Sequence, residues 1–560
     1  MKRLAALYDD LDATNSTNAK VDAMASYFKS APPADAAWGL FLLTGQKLKR
    51  LLPSRAIADW VRAATNTPDW LFRECYSAVG DLAETVCLLL DSTANIATSS
   101  DAPSEAPDTP LHEWIDRAQH LRTLDEPEQR AALLGWLAAL PGTQRFLLLK
   151  MITGSLRVGV SRTLVERAIA KAANIPKDHA AHLLAGDWKP TPAFFEALMR
   201  GEGAAGDAGE ASRPYPFFLA SPIDTPPSDD TLGPTSQWLL EWKWDGIRAQ
   251  LIRRGVSTHL WSRGDELLTP RFPEIVDAAA RLPGGTVLDG EVLAWKGDAP
   301  LGFAALQRRI GRTALSPRIL SNFPAAFIAY DLLEEGGFDL RQTPLRDRRA
   351  RLEQLLTTFG SSRLRLSQRV DAPTWDSARS QRELSRERGV EGLMLKRLDS
   401  AYASGRTRGD WWKWKIDPYT FDAVMTHAEP GHGRRAGLLT DYTFAVWDQG
   451  KLVPVTRAYS GLTHDEIKTL DAWIHRNTTG RYGRAREVKP ERVFEIAFEG
   501  IAASTRHKSG VALRFPRISR IRDDKPAREA DTLDTLRALL KARHGEAKTD
   551  QQLGLFGEDA

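Results

Sequence analysis

The hydrophobic positions in the first part of the chain recur at helical spacing. Ala and Leu dominate residues 1–205, and segments such as 130–140 and 164–172 place their apolar side chains on one helical face. The stretch 92–109 breaks this pattern with Ser, Thr, Asp and Pro, which bury little apolar surface. We therefore predict an all-α domain over 1–205, with a surface loop joining its two halves.

A different pattern follows this helical region. The stretch 201–213 is small, polar and rich in glycine, as expected of a flexible connector. Short apolar runs then occur at 286–288 and 326–330, separated by turn residues and by helical stretches such as 346–356. This mixture predicts an α+β domain over 212–416.

Beyond this domain the apolar runs are strand-like and are separated by Gly-rich turns. They occur at 422–426, 442–447 and 493–498. Such short strands favour a small β-barrel, which we place at 417–542 with a last helix near 533–542. The remaining residues, 543–560, are predicted to form a flexible, mainly polar tail.

Length and composition limit the possible classes of protein. A chain of 560 residues is too long for one hydrophobic core, which supports a multidomain architecture. Its hydrophobic fraction of 42% and charged fraction of 26% are typical of folded proteins, and its net charge of +4 permits nucleic-acid binding. No apolar run approaches the roughly 18 residues of a membrane span, and Cys75 and Cys87 are too few for a disulfide framework. We therefore predict a cytoplasmic protein without membrane contact.

The most informative segment is Glu241-Trp-Lys-Trp-Asp-Gly-Ile-Arg248, in which Lys243 lies between two tryptophans. On its own, such a lysine is better explained as a side chain at the edge of the core with its amine in water. Further polar clusters follow it, each costly to bury and unexplained by folding. They are Ser262-Arg263-Gly264, Leu288-Asp289-Gly290-Glu291, Ala329-Tyr330-Asp331-Leu332, Glu391-Gly-Leu-Met-Leu-Lys396, Trp411-Trp-Lys-Trp-Lys415, and 514–518 with 522–525.

This order of clusters closely resembles the six nucleotidyltransferase motifs of the ATP-dependent DNA ligases. The resemblance covers nearly the whole chain, because it includes 215–220 and, more loosely, 145–154, which is similar to the DNA-binding domain of replicative-type ligases. It implies an all-α N-terminal DNA-binding domain, an α+β nucleotidyltransferase (adenylation) domain, and a C-terminal OB-fold β-barrel.

The residue types suit transfer of a nucleotide to a lysine. An amine attacks the α-phosphorus of ATP only after losing its proton, so desolvation or nearby cations must disfavour the ammonium form. Trp242 and Trp244 are candidates for the desolvation. The candidate cations, which would also neutralise the triphosphate, are Arg248, Arg263, Lys413 and Lys415.

Spacing and charge provide two further predictions. The alternation of Lys413 and Lys415 places both amines on one face of a strand, the alternative being an exposed edge strand protected by lysines. Glu291 and Glu391 are candidates for the one or two carboxylates with which Mg²⁺, or Mn²⁺, binds beside phosphates. As isolated residues, both glutamates would instead be surface charges.

Other roles follow from the resemblance alone. It implies that Glu241 recognises the adenine amino group, that Tyr330 stacks on the base and that Arg248 contacts the ribose or the nick. It also implies that Arg522 and Lys525, in the last motif, reach the leaving pyrophosphate. A tyrosine in such a strand is otherwise most often part of the core.

The implied function is the sealing of 5′-phosphate/3′-hydroxyl nicks in duplex DNA by a monomer, in repair, replication or recombination. Lys243 forms a covalent lysyl-AMP from ATP, AMP passes to the 5′-phosphate of the nick, and the 3′-hydroxyl displaces it. In the helical region, Lys47, Lys150 and Arg157 are candidates for DNA phosphate contacts, or else belong to solvated helix faces.

Three alternatives stay open at this point. RNA capping enzymes and RNA ligases share the core motifs, but the long helical domain before them favours DNA. An NAD-dependent ligase is disfavoured because the sequence has no four-cysteine zinc module. A non-catalytic DNA-binding module would not need the lysine and carboxylate set.

The tail contains large apolar residues in a polar context. Its segment Gln552-Leu553-Gly554-Leu555-Phe556 resembles the peptide by which bacterial replication and repair proteins bind the sliding clamp. A flexible peptide with a few apolar anchors binds usefully despite its ordering cost. We predict that it recruits the chain to the clamp, the alternative being that Leu555 and Phe556 pack back on the fold.

Overall fold

The structure is a computed structural model, and it describes residues 1–92, 109–156, 159–186, 188–202, 212–223, 225–297, 299–310, 312, 315–431 and 437–546. The chain forms two compact units. The first unit consists of Met1–Lys49, Pro107–His120 and Gly154–Ile416, and the second of Arg50–Ala106, Leu121–Thr153 and Asp417–Ala560. Each unit therefore combines N-terminal helices with a sheet-containing part from later in the chain.

The N-terminal helices of the first unit form where the apolar periodicity predicts them. They are Lys2–Ala13, Thr17–Ser30, Pro33–Leu43, Leu111–His120, Arg162–Ala173, Lys177–Leu183 and Pro192–Met199. A side-chain cap fixes the start of one of them, since the Ser16 hydroxyl accepts from the Ala19 amide. The periodic segment 164–172 lies within the helix Arg162–Ala173, which confirms that prediction.

The larger sheet of the first unit has the strand order Ser257–Ser262, Ile247–Arg254, Thr286–Lys296, Ala325–Glu335, Phe338–Asp339, with Ala299–Pro300 and Leu364–Leu366 attached. The strands Thr286–Lys296 and Ala325–Glu335 are buried along almost their whole length, as expected of strands covered on both faces. The helices of this part are Asp229–Leu232, Pro273–Ala279, Phe303–Ile310, Pro317–Asn322, Leu345–Phe359 and Trp375–Glu383, with 3-10 turns at Thr235–Gln237 and Thr269–Arg271.

The smaller sheet of the first unit has the order Ser221–Pro222, Trp411–Lys415, Gly392–Arg397, Trp238–Trp242. Its last three strands are antiparallel neighbours, with Leu393 opposite both Trp414 and Trp242. These residues pack with Trp238 and Trp375 into a tryptophan-rich core. The register brings the ends of three strands together, and these ends carry predicted site residues.

The second unit joins helices to a strand-rich part. Its helices are Ser54–Ala64, Asp69–Val79, Leu82–Ser92, Glu126–Ala139, Gly142–Ile152, His464–Arg476 and Leu533–Glu546, with 3-10 turns at Leu121–Thr123 and Ala527–Glu529. Its strands are Tyr419–Pro430, Leu439–Asp448, Lys451–Ala458, Thr478–Tyr482, Ala485–Val488, Val493–Phe498, Gly500–Ala503, Val511–Arg514 and Arg517–Ile521. All three strand segments predicted from the sequence lie within them.

The strand Tyr419–Pro430 is central to this part because it pairs with Leu439–Asp448, Ala485–Val488 and Val493–Phe498. A register shift after Met425 marks a bulge, a feature that bends a strand. The strand-rich region agrees with the predicted OB-fold barrel, and the predicted fold class is confirmed.

Several predictions fall outside these elements. Most of the loop 92–109, the connector 201–213 and the tail 543–560 lies outside the described residues. The domain bounds 1–205, 212–416 and 417–542 stay predictions, because the two compact units divide the N-terminal helices between them. Among the described helices, none is both long and apolar enough to cross a membrane.

Candidate active site

Lys243 directly follows the strand Trp238–Trp242 and continues its hydrogen-bond pattern. Its amide donates to the Gly392 carbonyl at 2.9 Å, and its carbonyl accepts from the Glu391 amide at 2.8 Å. Gly392 lets the strand Trp411–Lys415 lie close on its other side, because its φ is 137° and a Cβ placed on it would lie 2.2 Å from the Trp414 carbonyl oxygen. The sheet register thus fixes Lys243 beside Glu391.

The Lys243 side chain forms an ion pair with Glu391. Its Nζ lies 2.5 Å from Oε2 of Glu391, and Nζ of Lys415 lies 3.2 Å from the same oxygen. Burial opposes the ionisation of Glu391, but Lys243 and Lys415 together outweigh it and lower the pKa of the carboxyl. A carboxylate therefore lies between two ammonium groups at the centre of the site.

Lys243 and Lys415 line a cavity of about 450 Å³, a volume typical of small-molecule sites, whereas Glu391 is not among its lining residues. The predicted site residues that line it are Glu241, Lys243, Arg248, Arg263, Glu291, Tyr330, Lys413 and Lys415. Lining residues that the sequence analysis did not assign include Met394, Lys396, Arg406 and Trp411. Cationic side chains outnumber anionic ones, so the cavity favours a polyanion such as a nucleoside triphosphate.

Glu241 is buried, and both of its oxygens accept hydrogen bonds. Oε1 accepts from Nη1 of Arg349 at 2.8 Å and Oε2 from Nζ of Lys396 at 2.6 Å, and none of the three side chains is more than 2% exposed. Arg349 also donates to the Ser367 carbonyl at 2.5 Å. A carboxylate has about four lone-pair sites, so Glu241 keeps acceptor capacity for a further donor.

Arg248 is held by the protein from several sides. Its Nη2 and Nε donate to Asp289 at 2.7 and 3.3 Å, and its Nη1 donates to the Phe218 carbonyl at 2.6 Å. The Tyr402 hydroxyl donates to the same aspartate at 2.8 Å. Most of the guanidinium donors are therefore used, which leaves few for a ligand and fixes their direction.

Tyr330 is 9% exposed and contributes its ring to the cavity wall. The Nζ of Lys396 lies 4.0 Å from the centroid of this ring and 4.5 Å from that of Trp411. Such cation–π contacts stabilise a partly desolvated ammonium. Lys396 therefore contacts Glu241 and the two aromatic rings, Tyr330 and Trp411, at the same time.

Glu291 lies opposite Arg248 in the larger sheet. Burial is the largest influence on its carboxyl and raises its pKa to about 7, against the opposing effects of Lys243 and Arg248. Gly246 allows the segment after Lys243 to lie close to the strand that carries Glu291. A Cβ placed on Gly246 would lie 2.4 Å from the Val292 carbonyl oxygen and 2.8 Å from Cγ of Glu291.

Glu291 and Glu391 fit the donor chemistry of Mg²⁺. This ion usually takes one or two carboxylates together with phosphate oxygens and water, and a buried carboxylate that titrates near neutrality gains from a divalent cation. Within the described ranges, no cluster of three His, Cys, Asp or Glu side chains is arranged to hold a metal. The role of Glu291 and Glu391 as metal ligands stays a prediction.

Lys413 and Lys415 both line the cavity, as their alternate spacing predicts. Burial is the main cause that lowers the pKa of Lys413, and the charges of Arg406, Lys243 and Lys415 act in the same direction. A phosphate group that binds between these cations reduces their mutual repulsion. The charge of the cavity therefore favours the binding of an anion.

Two predicted nucleotide contacts lie in the second unit. Arg522 and Lys525 both pair with Asp422, at 2.8 and 2.7 Å. These bonds hold the two cations side by side on the strand-rich part. Their role toward a nucleotide stays a prediction.

The candidate DNA contacts differ from one another. Lys47 is exposed, whereas Lys150 forms an ion pair with Asp81 and lies over the Phe146 ring. Arg157 and the tail residues Gln552, Leu553, Leu555 and Phe556 lie outside the described residues.

Four charged residues of the site escaped the sequence analysis. Asp289 and Lys396 lie inside polar clusters that the sequence analysis singled out, so their position in these clusters could have identified them. Arg349 and Arg406 lie in charged stretches of the kind that usually forms a solvated surface. Only the fold places Arg349 against Glu241 and Arg406 on the cavity wall.

Comparisons with known proteins identify the family of the chain. Three family models match the chain: DNA ligase N terminus over residues 1–170, ATP dependent DNA ligase domain over 218–415, and ATP dependent DNA ligase C terminal region over 435–525. A probable DNA ligase of Koribacter versatilis is 33% identical and covers 97% of both chains. A probable DNA ligase of Saccharopolyspora erythraea is 33% identical and covers 95% of this chain and 96% of its own. A solved structure described as Pmar-Lig_Pre shares the fold, with a TM-score of 0.56, 15% identity and coverage of 93% and 99%.

Proposed function

The chain belongs to the ATP-dependent DNA ligase family, and from this premise we propose that it seals 5′-phosphate/3′-hydroxyl nicks through a covalent AMP adduct on Lys243. The observation that carries the proposal is the position of the Lys243 amine, which lines a cation-rich cavity and pairs with Glu391 at 2.5 Å. A lysine beside carboxylates that can bind metal, in a cavity suited to a triphosphate, is the arrangement that nucleotidyl transfer requires.

In this proposal the nucleobase end of the cavity is formed by Glu241, Tyr330 and Arg248. Glu241 accepts from the adenine amino group with the lone pairs that Arg349 and Lys396 leave available. Tyr330 offers its ring for stacking, and Arg248 directs its remaining donors toward the ribose.

The first transfer needs the Lys243 amine as a free base. Before it attacks, Lys243 must leave its ion pair with Glu391 and pass one proton to a water molecule. Its Nζ then forms a bond to the α-phosphorus, the bond from that phosphorus to the bridging oxygen breaks, and pyrophosphate leaves with the electron pair. Arg263, Lys413 and Lys415 offset the charge on the phosphates.

We assign Glu291 and Glu391 as the carboxylate ligands of Mg²⁺ or Mn²⁺. When bound there, the ion would screen phosphate charge and polarise the phosphoryl oxygens. Arg522 and Lys525, held by Asp422, are proposed to reach the leaving pyrophosphate.

Two transfers on DNA complete the proposed cycle. An oxygen of the nick 5′-phosphate attacks the AMP phosphorus and frees Lys243, and the 3′-hydroxyl then attacks the 5′-phosphorus and expels AMP. The helical region 1–205 is proposed to hold the duplex through phosphate contacts, with the exposed Lys47 as a candidate. The protein acts as a monomer in this scheme.

A sealing assay on matched nicks tests the proposed function. We expect full conversion of a nicked DNA duplex with ATP and Mg²⁺, and none when NAD⁺ replaces ATP. Placing RNA on the 5′-phosphate side or on the 3′-hydroxyl side of the same nick measures how strictly the acceptor must be DNA. Sealing of RNA nicks alone, or labelling of the protein by GTP and not by ATP, would overturn the assignment.

The C-terminal segment 552–556 is proposed to bind the sliding clamp. Changing Leu555 and Phe556 together to Ala should remove most of the affinity for the clamp, because these are the apolar anchors. Surface plasmon resonance on immobilised clamp measures this loss, and nick sealing without the clamp should stay unchanged. Equal clamp affinity of the two proteins would rule the idea out.

A further inference from the structure

One cavity arginine lies in a tight turn that follows a strand of the larger sheet. Arg263 follows the strand Ser257–Ser262 and lines the cavity. Its amide donates to the Arg248 carbonyl at 2.9 Å, and the Asp265 amide donates to the Ser262 carbonyl at 3.0 Å. Asp265 has a φ of 58°, in the left-handed region that costs a non-glycine residue about 1 kcal/mol or more. The Ser262 amide also donates to the Glu266 carbonyl at 2.9 Å, and the Glu266 amide donates to the Ser262 hydroxyl at 3.0 Å. These bonds close the turn, and a contact from outside it is made at Asp265.

That contact comes from the N-terminal helices of the same unit. Nη1 of Arg162, the first residue of the helix Arg162–Ala173, forms an ion pair with Oδ2 of Asp265. The same guanidinium donates to the Leu184 carbonyl at 2.6 Å and to Glu166 at 3.2 Å. Arg162 is thus anchored on its own side by two bonds and holds the Arg263 turn with a third.

A second cavity arginine lies next to another contact with these helices. Arg406 lines the cavity and follows Gly405, whose carbonyl accepts from the Leu219 amide at 2.7 Å. Gly405 has a φ of 70°, and a Cβ placed there would lie 3.8 Å from Nζ of Lys177. The N-terminal helices therefore form an ion pair with the turn of Arg263, and Lys177 lies close to the segment of Arg406.

We propose that Arg162 is a positioning residue for adenylation, because its ion pair with Asp265 fixes the turn from which Arg263 reaches the triphosphate. The N-terminal helices then act in the nucleotide step as well as in DNA binding. This inference rests on the proposed function, since it assigns a further residue to the same site.

The consequence is an effect on ATP use that does not require DNA. Without Arg162, the half-buried Asp265 loses its charged partner, and the strained turn relaxes. Arg263 then spends less time in the position that a phosphate needs. Misplacing a positioning group by about 1 Å can cost up to about 100-fold, so we expect the KM for ATP to rise about 10-fold or more.

The test measures single-turnover self-adenylation of the full chain against ATP concentration, without DNA, for Arg162→Met, Asp265→Asn and both together. Either single change should raise the KM for ATP about 10-fold with a smaller effect on the maximal rate, and the double change should add little. Arg162→Lys should recover part of the loss, because it keeps the charge but not all three bonds. Asp265→Asn keeps the size of its side chain and removes the same ion pair, so it tests the proposal even if Arg162→Met misfolds.

Lys171→Met is the matched control. Lys171 lies on the same helix as Arg162, and its ion pair with Asp22 is exposed, at 55% and 59%. Its KM for ATP should equal that of the parent protein. Nicked-DNA affinity of all variants, measured after adenylation, should also be unchanged.

Two results would separate the possible failures. An unchanged KM for ATP in both Arg162→Met and Asp265→Asn, or a loss confined to DNA affinity, would overturn the positioning role and leave the ligase assignment intact. Failure of the parent protein itself to form a covalent adenylate would instead remove the proposed function on which this inference rests.

Discussion

A protein carrying Lys243→Met should take up no covalent label from ATP labelled at the α-phosphate. The parent protein should become labelled in the same incubation and keep the label after denaturation. We expect the difference to exceed about 1,000-fold, because removal of a nucleophile leaves only the weak catalysis of the surrounding site. Methionine keeps the length and the apolar stem of the side chain and removes the amine.

A bypass experiment controls for misfolding of this variant. When the nick already carries AMP on its 5′-phosphate, the last transfer needs the metal and cations of the site but no free lysine. Lys243→Met should therefore still seal a pre-adenylated nick. Retained labelling by the variant would place the nucleophile elsewhere, and loss of both activities would indicate a damaged fold.

The second large effect is expected on stability, for Arg348→Met. Arg348 lies on the helix Leu345–Phe359 and donates to both oxygens of Asp331, at 2.8 and 2.9 Å, with both side chains 0% exposed. Removing one partner leaves an uncompensated charge in the core, which typically costs about 3–5 kcal/mol. The thermal midpoint of the transition that includes this part should fall by roughly 10 °C.

Arg346→Met is the control for this prediction. Arg346 lies on the same helix and pairs with Asp399, but the two side chains are 54% and 63% exposed. Exposed pairs contribute about 1 kcal/mol or less, so its midpoint should stay close to that of the parent protein. Differential scanning calorimetry compares the two variants directly, and equal midpoints for both would contradict the burial argument.

Changing both partners to apolar residues refines the same prediction. Asp331→Leu with Arg348→Met removes the unpaired charge, so the double variant should be more stable than Arg348→Met alone. Asp331 belongs to one of the clusters that the sequence singles out. Through its bonds to Arg348, Asp331 links the helix Leu345–Phe359 to the strand Ala325–Glu335. Its role is therefore structural, although it directly follows Tyr330.

Local patterns carried most of the fold prediction. Helical periodicity gave the helix Arg162–Ala173, and apolar runs gave the strands Ala325–Glu335 and Val493–Phe498. Each of these depends on the spacing of nearby residues, which the sequence contains in full. Element ends were less well predicted, as in the last helix, which runs from Leu533 to Glu546 and not to residue 542.

The candidate site was predicted in part. The eight predicted site residues that line the cavity were found because they lie in clusters with a family-like order, whereas Arg406 lies outside those clusters. What they contact was not predicted: Lys243 pairs with Glu391, Glu241 with Arg349 and Lys396, and Arg248 with Asp289. A single sequence has no signal for such pairs, since they depend on which strands become neighbours.

The sequence by itself determined the element types, the order of the chemical clusters, and the family to which they point. Only the tertiary structure decided that Lys243 lies in an ion pair and that an arginine from the N-terminal helices holds the turn of Arg263. The physical reason is the distance along the chain over which each kind of interaction acts. Helix and strand preferences act over a few residues, whereas a buried charge is satisfied by whichever partner the sheet register and the packing of helices bring within hydrogen-bond distance.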